Sequence, residues 1–327
     1  MNHQLLSSCL LVIITLSQSD RGWSQTAGTP DLVHQETQSP THIPVTLPIR
    51  LFWNYLVIVE GSIGKVQNLH FLVDTGTYPS MVDQKIAHNL GLVEQPARVN
   101  LSNTTVQMGL VTLPSLLLGP VRVEALPVLT QDLSFLRKAL GYKVDAIIGL
   151  DILRKSSFTI NYRTKEMLLG AVESLAFSTP FDTDVPLVTI RTRFENLRLR
   201  LVVDTGSPDV MLFESRMPDS ASLQTLGVQQ TANASGTLQL TKIWIPELHL
   251  GQETIGGQAA FVVNDRKDHG DNFDGVLGIK GPQFWKIAFD FENRRFSWER
   301  SAVVPAISDA IYNDVQLSPA SIGRRPR

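Results

Sequence analysis

Two stretches of this 327-residue chain carry the same potential chemistry. Phe71-Leu72-Val73-Asp74-Thr75-Gly76-Thr77 and Leu201-Val202-Val203-Asp204-Thr205-Gly206-Ser207 each run three apolar residues into an acid, a threonine, a glycine and a second small hydroxyl residue. A carboxylate on a turn at the end of a buried strand is held rigidly, and the glycine lets the backbone bend sharply enough to bring its N–H to the acid. One such acid does little. Two acids that meet across a pseudo-twofold axis cannot both ionise at low cost, so they titrate as a coupled pair sharing one proton. The charged oxygen then serves as general base toward a water, and the protonated one donates to a carbonyl, without a metal or a covalent intermediate. On this reading Thr75 and Thr205 bond across the interface between the turns, and the hydroxyls of Thr77 and Ser207 reach the outer carboxylate oxygens.

The elements that would position these acids also recur. Asp74 and Asp204 are 130 positions apart, whereas Ala146-Ile147-Ile148-Gly149 and Gly275-Val276-Leu277-Gly278 are separated by 129, with Asp145 and Asp274 ahead of them at that same spacing. The register continues into Phe158–Tyr162 against Ile287–Phe291, and Met167 against Phe296. So many landmarks at one offset indicate a duplication. Asp-Thr-Gly is also a generic turn, but two copies, each behind an apolar strand and each followed by matching landmarks, fit chance poorly.

Within each copy the pattern is mostly strand. Leu197, Leu199 and Leu201 alternate with Arg198 and Arg200, a period of two with one buried face. Phe194-Glu195-Asn196 reads as the turn joining that strand to Leu187–Thr192. The first copy makes the same approach with about eleven more residues, comparing Arg50 to Asp74 with Arg191 to Asp204, so its hairpin, turning at Gly61-Ser62-Ile63-Gly64, is expected to be longer. Short helices are expected after Tyr78, around Asp132–Leu140, and after both Gly149 and Gly278. The result is an all-β chain with a few short helices: two pseudo-twofold-related β-barrel lobes, residues 44–172 and 180–300, joined near Pro180–Asp184, with the site in the cleft between them.

As a set, these motifs resemble a tandem, single-chain member of the retropepsin-like and pepsin-like aspartic proteases. Both catalytic turns match. Ile148-Gly149 and Leu277-Gly278 resemble the family's hydrophobic-Gly element, whose apolar strand packs behind the catalytic loop. Phe273-Asp274-Gly275-Val276-Leu277-Gly278 is close to the pepsin form and Ile147-Ile148-Gly149-Leu150-Asp151-Ile152-Leu153 to the retropepsin form, in which a short helix follows. The resemblance covers residues 44–298 and implies an aspartic endopeptidase with Asp74 and Asp204 as catalytic dyad. Thr75, Gly76, Thr77, Thr205, Gly206 and Ser207 would support the dyad, while Ile148, Gly149, Leu277 and Gly278 pack behind it. The implied partner is a peptide or protein bound as an extended strand, with no cofactor. One chain would supply both halves, so a monomer suffices. The alternative is a pseudo-protease that keeps the fold as a peptide-binding or sensor module. Family members close a hairpin flap over the cleft, usually with glycines, and pepsins add a tyrosine there. The matching segments, residues 100–113 and 229–241, contain Gly109 and Gly236 but no tyrosine and no glycine cluster.

The remainder of the chain narrows the choice. A formal charge of -2 gives no reason to expect nucleic acid or an anionic membrane as partner. Seven histidines lack the spacing of a zinc site, no glycine loop suits phosphate, and nothing marks a serine as nucleophile. The single cysteine, Cys9, lies near the N-terminus, so the body of the chain must rest on its apolar core. Leu5–Leu16 is apolar apart from Ser7, Ser8 and Thr15, too short for a comfortable membrane span and suited to the core of a secretory signal, although no Lys or Arg precedes it. Residues 1–25 are therefore read as a signal peptide of an exported, periplasmic or extracellular, protein, the rival being an uncleaved N-terminal anchor; no later stretch spans a bilayer. Residues 26–43 read as a flexible lead-in and 301–327 as a solvated tail. Asn100-Leu101-Ser102, Asn103-Thr104-Thr105 and Asn233-Ala234-Ser235 match the glycosylation pattern, and ordinary turn chemistry accounts for them equally well.

Overall fold

The structure is a computed structural model that describes residues 43–301, except 102–104, 183, 218–222, 234–235 and 266–271, together with the dipeptide Ile14–Thr15. The expected signal, lead-in and tail thus fall almost wholly outside the described residues. Among the described residues, no helix is long and apolar enough to cross a membrane.

The first half runs β1 (Val45–Pro48), β2 (Arg50–Phe52), β3 (Leu56–Ile63), β4 (Val66–Val73), β5 (Met81–Asp83), α1 (Gln84–Asn89), β6 (Gln95–Leu101), β7 (Thr105–Leu118), β8 (Val121–Gln131), α2 (Ser134–Leu140), β9 (Ala146–Ile148), α3 (Leu150–Leu153), β10 (Phe158–Asn161) and β11 (Glu166–Leu169). The second repeats the plan: β12 (Phe177–Asp182), β13 (Thr189–Phe194), β14 (Leu197–Val203), β15 (Val210–Phe213), β16 (Gln224–Asn233), β17 (Gly236–Leu250), β18 (Glu253–Val263), β19 (Gly275–Leu277), β20 (Phe284–Asp290) and β21 (Arg295–Arg300). Within the first half the strand order is β6-β7-β8-β5-β9-β4-β3-β2, and an added β7–β3 pairing closes the sheet on itself. In the second it is β16-β17-β18-β15-β19-β14-β13, closed by β17 on β13. The all-β reading of the sequence holds, with two closed barrels in place of open sheets.

Each acid-bearing strand is central. β4 pairs with β3 on one side and runs parallel to β9 on the other, with Phe71 opposite Ala146 and Val73 opposite Ile148. β14 stands likewise between β13 and β19, with Leu201 opposite Gly275 and Val203 opposite Leu277. This is why both approaches to the turns are unbroken apolar runs: both faces are covered, and Phe71, Leu72, Val73, Leu201, Val202 and Val203 are all fully buried. Each such side chain contributes on the order of 1.5–3 kcal/mol of transfer free energy. Earlier in β14, where one face meets water, the alternation survives: Leu199 is buried and Arg198 exposed.

The two barrels are joined by a further sheet in the order β12-β21-β20-β10-β11-β1, to which both halves contribute. Its central pair is antiparallel, with Phe158 opposite Phe289 and Ile160 opposite Ile287. Thr159 and Ala288, themselves 129 positions apart, pair with each other, so the pseudo-twofold axis passes between them. Phe158, Phe289, Phe296 and Trp298 are buried on this sheet, with ring centroids 4.8 Å apart for Phe158–Phe289, 5.2 Å for Phe289–Phe296 and 5.5 Å for Phe296–Trp298. Pro180 and Asp182, expected at a junction, lie within β12, where Pro180 pairs with Arg295 and Asp182 with Thr189.

Two expectations are corrected. The first-half hairpin is longer by one residue and not by about eleven: Glu60 pairs with His70, ten positions on, as Arg191 pairs with Arg200, nine positions on, so Glu60, not Arg50, is the counterpart of Arg191. The extra residues form β2, which turns into β3 through Trp53 and Asn54, both at positive φ. Gly61 and Ile63 stay in β3, because Ile63 is fully buried and pairs with Val66, and Gly61 lies where a Cβ would sit 2.2 Å from the Phe71 ring. The turn is at Gly64-Lys65. Helices do appear after Tyr78, as α1, and at α2 and α3, but none follows Gly278. There the N–H groups of Lys280 and Gly281 both donate to Pro208 O, each at 2.7 Å, and Gly281-Pro282 is a poor helix start.

Replacing Phe289 by Ala removes the ring at the centre of the interlobe cluster. A loss of about 3–5 kcal/mol in unfolding free energy is expected from denaturant titration, well above that of a surface Phe.

Candidate active site

The turns after β4 and β14 meet at the pseudo-twofold axis through reciprocal bonds. Thr75 N–H donates to Thr205 Oγ1 at 3.1 Å and Thr205 N–H to Thr75 Oγ1 at 3.0 Å. Each hydroxyl passes its own proton to the strand opposite, Thr75 to Val203 O at 2.7 Å and Thr205 to Val73 O at 3.0 Å. All four donors and acceptors are buried, where an unmade bond costs about 1–3 kcal/mol. The expectation that these threonines tie the turns together is met in full.

The glycines then set how closely the acids approach. Gly76 N–H donates to Asp74 Oδ1 at 2.9 Å and Gly206 N–H to Asp204 Oδ1 at 2.7 Å. A Cβ on Gly76 would lie 2.5 Å from Asp204 Cγ, and one on Gly206 would lie 2.8 Å from Asp74 Oδ2. Each glycine therefore vacates the space occupied by the opposite carboxyl group. Asp74 and Asp204 thus face each other across the axis, each against the glycine of the opposite turn. Both are fully buried, and burial is the main cause that raises both pKa values, Asp74 to about 6 and Asp204 further, because the charge of Asp74 faces it.

Ile148, Gly149, Leu277 and Gly278 lie against the two acid-bearing turns. Ile148 O accepts from Asp74 N–H and Leu277 O from Asp204 N–H, both at 3.0 Å. Gly149 packs so tightly that a Cβ would meet Thr77 O at 2.3 Å, and at Gly278 it would meet Asp209 N at 2.5 Å. The outer hydroxyls differ between halves. Thr77 donates to Asp74 Oδ2 at 2.9 Å, but Ser207 donates to Asp209 O at 3.3 Å rather than to Asp204 as expected. The main chain of Ser207 stays near the acid, its N–H donating to Asp204 O at 3.3 Å and its carbonyl accepting from Ile279 N–H at 3.0 Å.

Residues 59–152 match a family model described as aspartyl protease. This stretch is similar to an aspartyl protease domain. The matched stretch spans most of β3 through the middle of α3 and so includes Asp74-Thr75-Gly76 and Ile148-Gly149. No curated protein matches the chain.

Several polar residues around this domain's site carry no role in the sequence reading. Asp145 Oδ2 accepts His70 N–H at 2.9 Å and Asp274 Oδ2 accepts Arg200 N–H at 2.8 Å, bracing the two acid-bearing strands at equivalent points; their shared offset was the signal. Ser80 and Asp151, buried beside Gly149, bond to each other. Asp209 is largely buried, and burial pushes its carboxyl up to about 6 against the pull of Lys280 and Lys242. Tyr162 is buried, and burial and the charge of Asp204 push its phenol up. Single buried polar residues have no periodicity to reveal them. Among the described residues no three His, Cys, Asp or Glu side chains come together as a metal-ligand set.

Because folding raises the proton affinity of both acids, the stabilisation they contribute is fully present below their ordinary value of 3.8 and is lost as pH rises through about 6 for Asp74 and higher still for Asp204. Asp204→Asn, which cannot ionise, should make the protein more stable than wild type at pH 7–8, by on the order of 1–3 kcal/mol, with the gap closing toward pH 4 in thermal melts. Thr205→Ala should act oppositely, costing about 2–4 kcal/mol at every pH for its two buried bonds.

Proposed function

We propose that the protein is an aspartic endopeptidase in which Asp74 and Asp204 activate a water for attack on a peptide bond. The observation that carries this reading is the pair of buried carboxyl groups that face each other, each seated against the glycine of the opposite turn. Asp74 accepts from Gly76 N–H and from the Thr77 hydroxyl, and both donors favour its charged form. Asp204 lacks a hydroxyl donor and faces a negative charge, which favours its protonated form. Asp74 is thus the general base that takes the proton of water, and Asp204 the acid that donates to the scissile carbonyl.

The substrate is an extended segment of peptide or protein. Both halves carry a long hairpin, β6–β7 and β16–β17, whose outer strands β6 and β16 lie toward the sheet edges. A peptide strand bound between these hairpins and the turns would be held by main-chain bonds and selected by alternate side chains. One chain supplies both acids, so the active species is a monomer with its lobes, residues 44–172 and 180–300, paired internally. The apolar segment Leu5–Leu16 supports export before action.

Asp74→Asn and Asp204→Asn should each reduce cleavage of an unfolded protein by about 10²–10⁴-fold, assayed from pH 3 to 8. Equal residual cleavage by wild type and both variants would falsify the dyad. Peptide binding by folded wild type without any cleavage would favour a binding or sensor module instead. With Asp74 charged and Asp204 protonated in the active form, kcat/KM should rise as pH passes about 6 and fall again as Asp204 ionises. An optimum below pH 4 would contradict this assignment.

A further inference from the structure

Asp74 is held by a chain of contacts that has no counterpart at Asp204. It begins at Asp151, two residues beyond Gly149, and Ser80, six beyond Asp74, both buried. The Ser80 hydroxyl donates to Asp151 Oδ1 at 2.5 Å and Ser80 N–H to Asp151 Oδ2 at 3.0 Å, while Ile152 N–H donates to Oδ1 at 3.1 Å. With its proton committed to Asp151, Ser80 Oγ presents a lone pair to Gly149 N–H, 2.8 Å away. Gly149 lies against the carbonyl of Thr77, and Leu150 N–H donates to that carbonyl at 3.0 Å. Thr77 in turn gives its hydroxyl to Asp74 Oδ2 at 2.9 Å.

A carboxylate at position 151 accepts all three bonds, which oppose the upward pull of burial on its proton affinity, whereas an amide would point N–H groups at a donor. At the equivalent offsets the second half has Val210 and Lys280, neither of which can accept from a hydroxyl or pass one on. There the outer hydroxyl, that of Ser207, turns to Asp209 O and leaves the acid. Nearly the same turn sequence thus has two outcomes, and the Ser80–Asp151 relay is present only where the hydroxyl stays on the acid.

We propose that Ser80 and Asp151 are positioning residues for the dyad, fixing Thr77 so that its hydroxyl remains on Asp74 and Asp74 remains the partner that carries the charge. This assignment rests on the reading of Asp74 and Asp204 as the catalytic pair. A purely structural role for the same bonds would lower stability and leave the dyad's proton affinities alone. The groups that bear on Asp74 are Asp204, Thr77 and Gly76; those that bear on Asp204 are Asp74, Gly206 and Ser207, and the phenol of Tyr162 feels the charge of Asp204. Asp151 itself faces Ser80 and Ile152, and the neighbouring Arg154 guanidinium is turned over the Tyr78 ring, 5.5 Å from its centroid. An influence of position 151 on Asp74 therefore passes through Thr77.

The test uses Asp151→Asn and Ser80→Ala in the full chain, with two readouts: kcat and KM on a peptide that wild type cleaves, and titration of the Asp carboxyl carbons by ¹³C NMR, which needs no turnover. Expected are a fall in kcat of about tenfold with KM little changed, and an upward move of the lower carboxyl titration step by about half a unit or more as Asp74 loses a donor to its charged form. The double variant should be no worse than the worse single one, since both break the same chain. Variants that melt earlier yet keep the wild-type kcat and both wild-type titration steps would overturn the proposal. Should Asp151→Asn not fold, Ser80→Ala decides alone, since it removes the relay while leaving the carboxylate its two backbone donors. A wild type that cleaves nothing would sink the dyad reading by itself, and the titration would still decide whether position 151 governs Asp74.

Discussion

Two buried carboxyl groups in contact are the constraint to which the rest of the molecule answers. Left alone they would repel when ionised and resist burial when paired, so the fold must hold them together against a cost of several kcal/mol. It does so with the crossed bonds of Thr75 and Thr205, in which each threonine is both donor and acceptor and each ties its own turn to the opposite strand. Glycine on both sides is the steric condition for that approach, because a methyl at either position would overlap the facing carboxyl group. The closed barrels and the interlobe sheet then keep the two turns in register over a long distance from the site.

Within this symmetric frame the local environments differ, and the difference gives direction to the chemistry. Asp74 receives a hydroxyl and Asp204 does not. A strictly symmetric pair would share its proton equally, whereas here one acid keeps a hydroxyl and a backbone N–H and the other keeps backbone N–H groups alone. Carrying both acids in one chain permits this, since each half is free to change its supporting residues alone. The Ser80–Asp151 pair in one half and Val210 with Lys280 in the other are what such freedom produces.

Much of this was legible in the residues, for physical reasons. The strands bearing the acids are buried on both faces, so they had to be apolar runs, and the turns needed glycine and hydroxyls, which are conspicuous by type. Repetition at a fixed spacing supplied the second half of the site. Hairpin lengths were misread because Arg50 and Arg191 look alike in sequence, while pairing is decided by which side chain fits opposite His70 or Arg200. The helix expected after Gly278 failed because Pro208 O captured the N–H groups that would have started it. The rotation of Ser207 toward Asp209 is a single-bond rotation and the bond between Ser80 and Asp151 joins residues 71 positions apart, and no local pattern encodes either.

The sheet between the barrels also sets an order in time. It is built from residues 45–48, 158–169, 177–182 and 284–300, and the strand that pairs with β12 is the last one of the fold. A chain emerging from the ribosome can complete its first barrel early, but at that stage it holds one acid and no partner. The two acids are brought under a shared frame only after Arg300 has been made. Synthesis itself therefore keeps the two acids apart until the second half has been made.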